Sequence, residues 1–309
     1  MEHLMKHKVT IVLFCVSDDM TYINDAIDVL NKQYENLSFR YLISKVTKTV
    51  KIVAISDAKI RYILQQESAT RNYDYLLVCG GRGLGVKVLS DLIKQYNVSE
   101  EKVLYDWIVS IPGFTKKKYD KLRKSRLSIV SMNCFGGVVS HTLGLPFLSP
   151  FINMFFSERD FLKILKNFAF YMHSDFNFVR MDYEENLKRN YPVFAYDDGV
   201  VLNMNHYTNV DDAKKKWHER CERINYYNIL VVMYTEDEEI LKEFDSLPFS
   251  KKICFVPFET DVECGFTVDR EKIFNKKDTP MWQCVNYYAS RPFVYDVFDL
   301  LTYGILNKV

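Results

Sequence analysis

Short apolar runs alternate with amphipathic stretches from the start of the chain. VTIVLFCV (9–16), FRYLIS (39–44), TVKIVAIS (49–56), YDYLLVCGG (73–81) and KVLYDW (102–107) have the length and unbroken apolar character of strands buried on both faces. Helical periodicity covers about 20–35, the residues after Asp57, and about 85–96. This alternation predicts a largely parallel sheet with helices on both sides, so residues 1–112 read as a Rossmann-like α/β domain.

The composition turns basic in IPGFTKKKYDKLRKSR (111–126), a charge run that reads as a solvated helix or linker, so residues 113–126 are taken as the basic linker between domains. The pattern then resumes as a second α/β domain, 127–309. LSIVSM (127–132), NILVVMY (228–234) and KKICFVPF are strands, and VVLNMNHYT (200–208) is a strand ending at a histidine after the turn Asp197-Asp198-Gly199. SERDFLKILKNFAFYM opens a helix with Ser157 and Asp160 in capping-box spacing. DDAKKKWHERCERI, TEDEEILKEFDSL and the apolar tail RPFVYDVFDLLTYGIL are the remaining helices. Residues 127–157 carry no Asp, Glu, Lys or Arg, but glycines and prolines interrupt them, so they predict the buried centre of a domain and no integral membrane segment.

Composition narrows the function classes. With 41 Lys+Arg against 40 Asp+Glu there is no global field to draw nucleic acid or acidic lipid, and no nucleic-acid partner is expected. The seven cysteines are odd in number and include no C-x-x-C pair, a pattern of reduced thiols in a cytoplasmic protein without a disulfide framework or zinc site. The N-terminal apolar run is too short for a signal peptide and reads as a first strand.

Two clusters carry candidate chemistry. CGGRGLG places Gly80, Gly81, Gly83 and Gly85 between a strand and a helix, where glycine lets backbone N–H groups approach a phosphate, with Asp57 at the end of an earlier strand. The spacing is not G-x-G-x-x-G, and a turn needing positive φ accounts for it as well. No cofactor is named by the sequence. The second cluster, SIVSMNCFGGVVSH, puts Cys134 at a strand-to-helix turn, where a helix N-terminus lowers a thiol pKa and amides near Gly136 and Gly137 would stabilise an oxyanion. His206, ending a strand, is the first candidate base from a neighbouring strand at the same sheet edge, and His141 the second. Against this, a free cysteine packs as a small buried hydrophobe.

SIVSMNCFGGVVSHTLGLPFLSPFINMFFSERDFLKILKNFAFYM, NHYTNVDDAKKKWHERCERINYYNILVVM and LKEFDSLPFSKKICF also resemble a bacterial family of unknown function, domain-of-unknown-function family nineteen-nineteen, over residues 127–258. Its members are often labelled exopolysaccharide biosynthesis proteins. The resemblance adds Asn133, Ser149, Trp217, Arg220 and Arg223 as substrate-binding candidates, the arginines as an anion clamp. It implies a part in surface-polysaccharide assembly and no particular reaction; joined to the Cys134 cluster, the leading expectation is an enzyme of that biosynthesis that transfers or hydrolyses an acyl group on a sugar or sugar nucleotide with Cys134 as nucleophile. A glycosyltransferase-like nucleotide-sugar-binding protein and a non-catalytic scaffold of a polysaccharide-assembly complex are the alternatives.

Overall fold

A computed structural model describes residues 9–16, 21–34, 36–44, 73–94 and 98–306. The strand and helix expected over 49–56 and after Asp57 lie outside the described residues. The chain forms two compact units, residues 1–121 with 141–144, and residues 122–140 with 145–309. It is an α/β protein.

In the first unit β1 (Val9–Cys15), α1 (Ile23–Gln33), β2 (Leu37–Ser44), β3 (Tyr75–Cys79), α2 (Gly85–Lys94) and β4 (Val103–Tyr105) follow one another. The four strands make a parallel sheet in the order β2-β1-β3-β4. Their apolar runs are continuous because both faces are covered: Ile11, Val12, Leu76, Leu77 and Val78 are fully buried. The basic stretch contains a helix, α3 (Lys116–Lys124), whose Tyr119 and Leu122 are buried while Lys117, Lys121 and Lys124 are exposed and Lys116 pairs with Asp120.

The second unit starts with β5 (Ser128–Ser131) and α4 (Phe135–Leu143), then runs through α5 (Glu158–Lys166) into three antiparallel strands, β6 (Asn177–Glu184), β7 (Arg189–Ala195) and β8 (Val201–Asn203). After α6 (Val210–Cys221) come β9 (Ile229–Tyr234), α7 (Glu238–Asp245), β10 (Lys252–Val256), β11 (Gly265–Thr267), α8 (Met281–Ser290) and α9 (Val297–Tyr303). The parallel sheet is ordered β11-β10-β9-β5, so the antiparallel sheet β6-β7-β8 is an insertion between two neighbouring strands, β5 and β9. Ser157 caps α5 as its spacing implies, accepting the Asp160 N–H at 3.2 Å.

The charge-free run 127–157 forms part of this unit's core. Phe151 packs on Phe156 and Trp217 with ring centroids 5.4 and 5.5 Å apart, and Phe176 lies 5.1 Å from Phe194 of the inserted sheet. Such ring pairs add about 1 kcal/mol each beyond area burial. Among the described residues no helix is long and apolar enough to cross a membrane.

Candidate functional site

Cys134 sits where β5 turns into α4. The Asn133 side chain accepts the Phe135 N–H at 3.1 Å, and the Ser131 hydroxyl accepts the Gly136 N–H at 3.0 Å while donating to the Asn133 carbonyl at 2.7 Å. The Cys134 carbonyl accepts the Val138 N–H, making Cys134 the N-cap. Two of the helix's leading amides are therefore spent on side chains, and the expected oxyanion donor at Gly136 is committed to Ser131. Both glycines serve close packing: a Cβ at Gly136 would lie 2.9 Å from Ile129 Cγ2, and one at Gly137 3.1 Å from Ile152 Cγ2.

His206 Nε2 lies 3.4 Å from Cys134 Sγ. It does not come from a neighbouring strand of the same sheet. The strand before it, β8, pairs with β7 of the inserted sheet and stops at Asn203, and His206 follows in a turn whose N–H bonds to the Asn153 carbonyl at 3.3 Å. Asn153 takes φ 66°, a left-handed conformation that asparagine tolerates better than most residues. His141 is excluded as the partner. Seven residues along α4 put it about 10 Å up the helix from Cys134, and its ring lies where a Cβ on Gly85 would be, 2.6 Å away.

Around the pair is a cavity of about 730 Å³. Asn133, Asn203, Asn205 and Asn286 offer carboxamides, Tyr234 and Trp282 aromatic surface, and Glu158 and Glu184 carboxylates. Asn133 Nδ2 donates to Asn286 Oδ1 at 3.3 Å, whereas Asn205 Oδ1 is buried with no hydrogen-bond partner among the described residues. Trp282 is 39% exposed, a flat ring at the cavity wall. No Lys or Arg is among the lining residues.

Burial pushes the Cys134 thiol up to about 11, opposed by a hydrogen bond from the Met154 N–H and reinforced by the Glu184 carboxylate. This reverses the lowered thiol pKa expected from the helix N-terminus: desolvation outweighs the field of a short helix whose first amides are already capped. Burial, with help from the Arg189 guanidinium, lowers the His206 pKa against the pull of Glu184. At neutral pH the resting pair is thus a thiol beside an uncharged imidazole, able to act as base if its proton is on Nδ1.

The other candidate residues lie elsewhere. Trp217 is buried in the aromatic core and Ser149 accepts the Phe151 N–H in a loop. Arg220 bonds to the Tyr207 hydroxyl at 2.7 Å and the Ile152 carbonyl at 3.4 Å, and the exposed Arg223 faces Glu219 at 3.7 Å, so neither forms an anion clamp at the cavity. In the first unit the Gly80 N–H donates to the buried Asp106 carboxylate at 2.8 Å, which places a negative charge where a phosphate would bind. Gly80, Gly81 and Gly85 take φ near +75° and Gly83 does not, so the loop is a turn built on positive φ. Asp57 is outside the described residues.

Glu184, Asn203, Asn205, Tyr234, Trp282 and Asn286 were not among the sequence candidates. Asn203 and Asn205 stand three and one residues before His206 in LNMNHYT, a signal carried by the same motif. Glu184 ends β6, whose segment FVRMDYE mixes charged and apolar residues on an exposed strand and carries no burial signal in the sequence. Nothing local marks Trp282 or Asn286, which α8 brings in from far along the chain.

The profile of a family described as "Domain of unknown function (DUF1919)" matches residues 108–303. The chain belongs to this family. The match extends the resemblance in both directions, taking in α3 upstream and β11, α8 and α9 downstream, so every residue lining the cavity is inside the family region. An uncharacterized protein of Haemophilus influenzae is 33% identical over 138 residues, 44% of this chain and 64% of that protein. The chain thus spans less than two thirds of this curated relative's length.

Proposed function

We propose that the second unit is a cysteine-dependent acyltransferase or acyl hydrolase acting on a sugar of bacterial surface-polysaccharide assembly, in a reducing, cytoplasmic setting. The observation that carries this reading is the Cys134–His206 pair at 3.4 Å facing a cavity of about 730 Å³. His206 Nε2 takes the thiol proton as Cys134 Sγ attacks the acyl carbonyl, and hands it to the departing alkoxide or thiolate. A sugar hydroxyl or water then attacks the thioester, His206 accepts its proton, and the proton returns to the leaving sulfur. Glu184 raises the basicity of His206, and the Met154 N–H stabilises negative charge on sulfur.

The lining favours an uncharged, polyhydroxylated ligand: carboxamides supply donors and acceptors, the Trp282 face a stacking surface, and Asn205 Oδ1 an acceptor awaiting a hydroxyl. Two carboxylates with no cation in the lining weigh against the nucleoside diphosphate of the glycosyltransferase-like reading. The test is intact-mass analysis after exposure to p-nitrophenyl acetate, acetyl-coenzyme A and acetylated monosaccharides. The wild type should form an acyl adduct on Cys134 and turn over, C134S should lose both, and H206N should slow acylation about 100-fold or more. Turnover that C134S retains in full, or no reaction with any of these donors, overturns the proposal.

A further inference from the structure

We propose that β6 is a self-recognition edge, through which two copies of the chain pair antiparallel about Met181 to join their three-stranded sheets into one of six strands. Among the described residues β6 stands at the edge of its sheet, order β6-β7-β8, and its side chains are almost all exposed: Phe178 47%, Val179 51%, Met181 42%, Tyr183 49%. A run of large apolar residues on an open strand is the feature that edge strands ordinarily avoid.

The register shows how the strand is sorted. Phe178, Met181 and Tyr183 stand opposite Phe194, Pro192 and Asn190, while Arg180, Asp182 and Glu184 stand opposite Val193, Tyr191 and Arg189. A bulge between Phe178 and Arg180 leaves Val179 unpaired and brings Phe178 onto the face of Met181 and Tyr183, with Arg180, Asp182 and Glu184 on the other. Pro192 has no N–H, and its carbonyl accepts the Met204 N–H on the side away from β6. Met181 is therefore in a non-hydrogen-bonded pair with β7, and its N–H and C=O point to the open edge; Tyr183 points the same way, its N–H held by the Asp182 carboxylate at 3.0 Å until a partner strand replaces it.

Charge complementarity selects the occupant. When β6 pairs with its own copy about Met181, Met181 meets Met181 in a hydrogen-bonded pair. Arg180 of each chain then stands opposite Asp182 of the other in the closer, non-hydrogen-bonded position, twice per dimer. Tyr183 of each chain stands across from Val179 of the other in this register, an aromatic beside a β-branched residue. A two-fold interface is self-complementary by construction, and this strand meets that requirement with opposite charges.

Sedimentation equilibrium should give twice 36.5 kDa at high concentration, with a dissociation constant on the order of 10 µM for so small an interface. R180D and D182R each place like charges face to face and should each be monomeric, while their equimolar mixture should dimerise because each strand then meets its opposite. Arg180 pairs with Asp182 at 3.2 Å, and Asp182 also accepts the Tyr183 N–H at 3.0 Å, so R180D should melt close to the wild type and D182R, which gives up that backbone bond, slightly lower while staying folded. Amide exchange at Met181 should slow on concentrating the wild type and not the single variants. A monomeric wild type, a dimer insensitive to either substitution, or a mixture that stays monomeric overturns the proposal.

Discussion

Alkylation of Cys134 should be slow at neutral pH and accelerate tenfold per pH unit up to about 11. The perturbation is burial, which lifts the thiol from 9.0 to about 11. Two pH units convert to a thiolate fraction near 10⁻⁴ at pH 7 against about 10⁻² for an unperturbed thiol, so native Cys134 should react with iodoacetamide about 100-fold more slowly than a free exposed cysteine. It should nonetheless be modified before the other six, which are all buried. The assay is peptide mapping after brief labelling from pH 6 to pH 11, with glutathione as the reference. E184Q should raise the neutral-pH rate by removing a nearby negative charge, and H206N should leave the shape of the profile from neutral pH upward unchanged, because burial lowers the His206 pKa and the imidazole is uncharged there. A rate plateau reached below pH 7 would refute the reasoning, since it would require a thiolate–imidazolium pair that burial disfavours.

The same thiol couples to stability. A group that binds its proton more tightly when folded contributes fully below the unfolded pKa near 9 and loses that contribution as pH rises to about 11, so wild type should lose up to about 3 kcal/mol more than C134A across that window in urea titrations. Gly81→Ala should cost about 2 kcal/mol or more, with φ at 78° and a Cβ 2.7 Å from Val16, whereas Gly83→Ala, with open space around it, should stay within about 0.5 kcal/mol; equal melting shifts would contradict this account of the loop. Asp106→Ala strips acceptors from the Gly80 and Trp107 N–H groups, both at 2.8 Å, and should cost about 3 kcal/mol in denaturant titration; an unchanged midpoint would show that the buried carboxylate does not hold the loop.

The parallel strands were legible because strands covered on both faces leave an unbroken apolar run, and β1, β3, β5, β9 and β10 all announce themselves that way. The hairpin β6-β7 was not: β6 mixes Arg180, Asp182 and Glu184 with its apolar residues and is exposed on both sides, so no burial pattern marks it. Cys134 and His206 were readable from their motifs, but the sheet that carries His206 was not, since pairing partners are a tertiary property. The pKa of Cys134 was misjudged for a related reason. A helix N-terminus is visible in sequence, while the amount of protein stacked over a sulfur is not. Arg220, Arg223 and Trp217 show how a family-matched position serves as readily for packing or for a local bond as for a ligand.

The insertion of an antiparallel sheet between β5 and β9 has a mechanical meaning. Sulfur and imidazole are 72 residues apart and ride on different sheets, so no single element sets their 3.4 Å separation. That distance gauges how the two sheets are seated on each other through Phe151, Phe156, Phe176, Phe194 and Trp217. A shift of about 1 Å in that seating breaks the contact. Truncating a ring in the aromatic layer, with no contact to the sulfur, is therefore a way of detuning the pair, and the core acts as the spring against which the site is aligned.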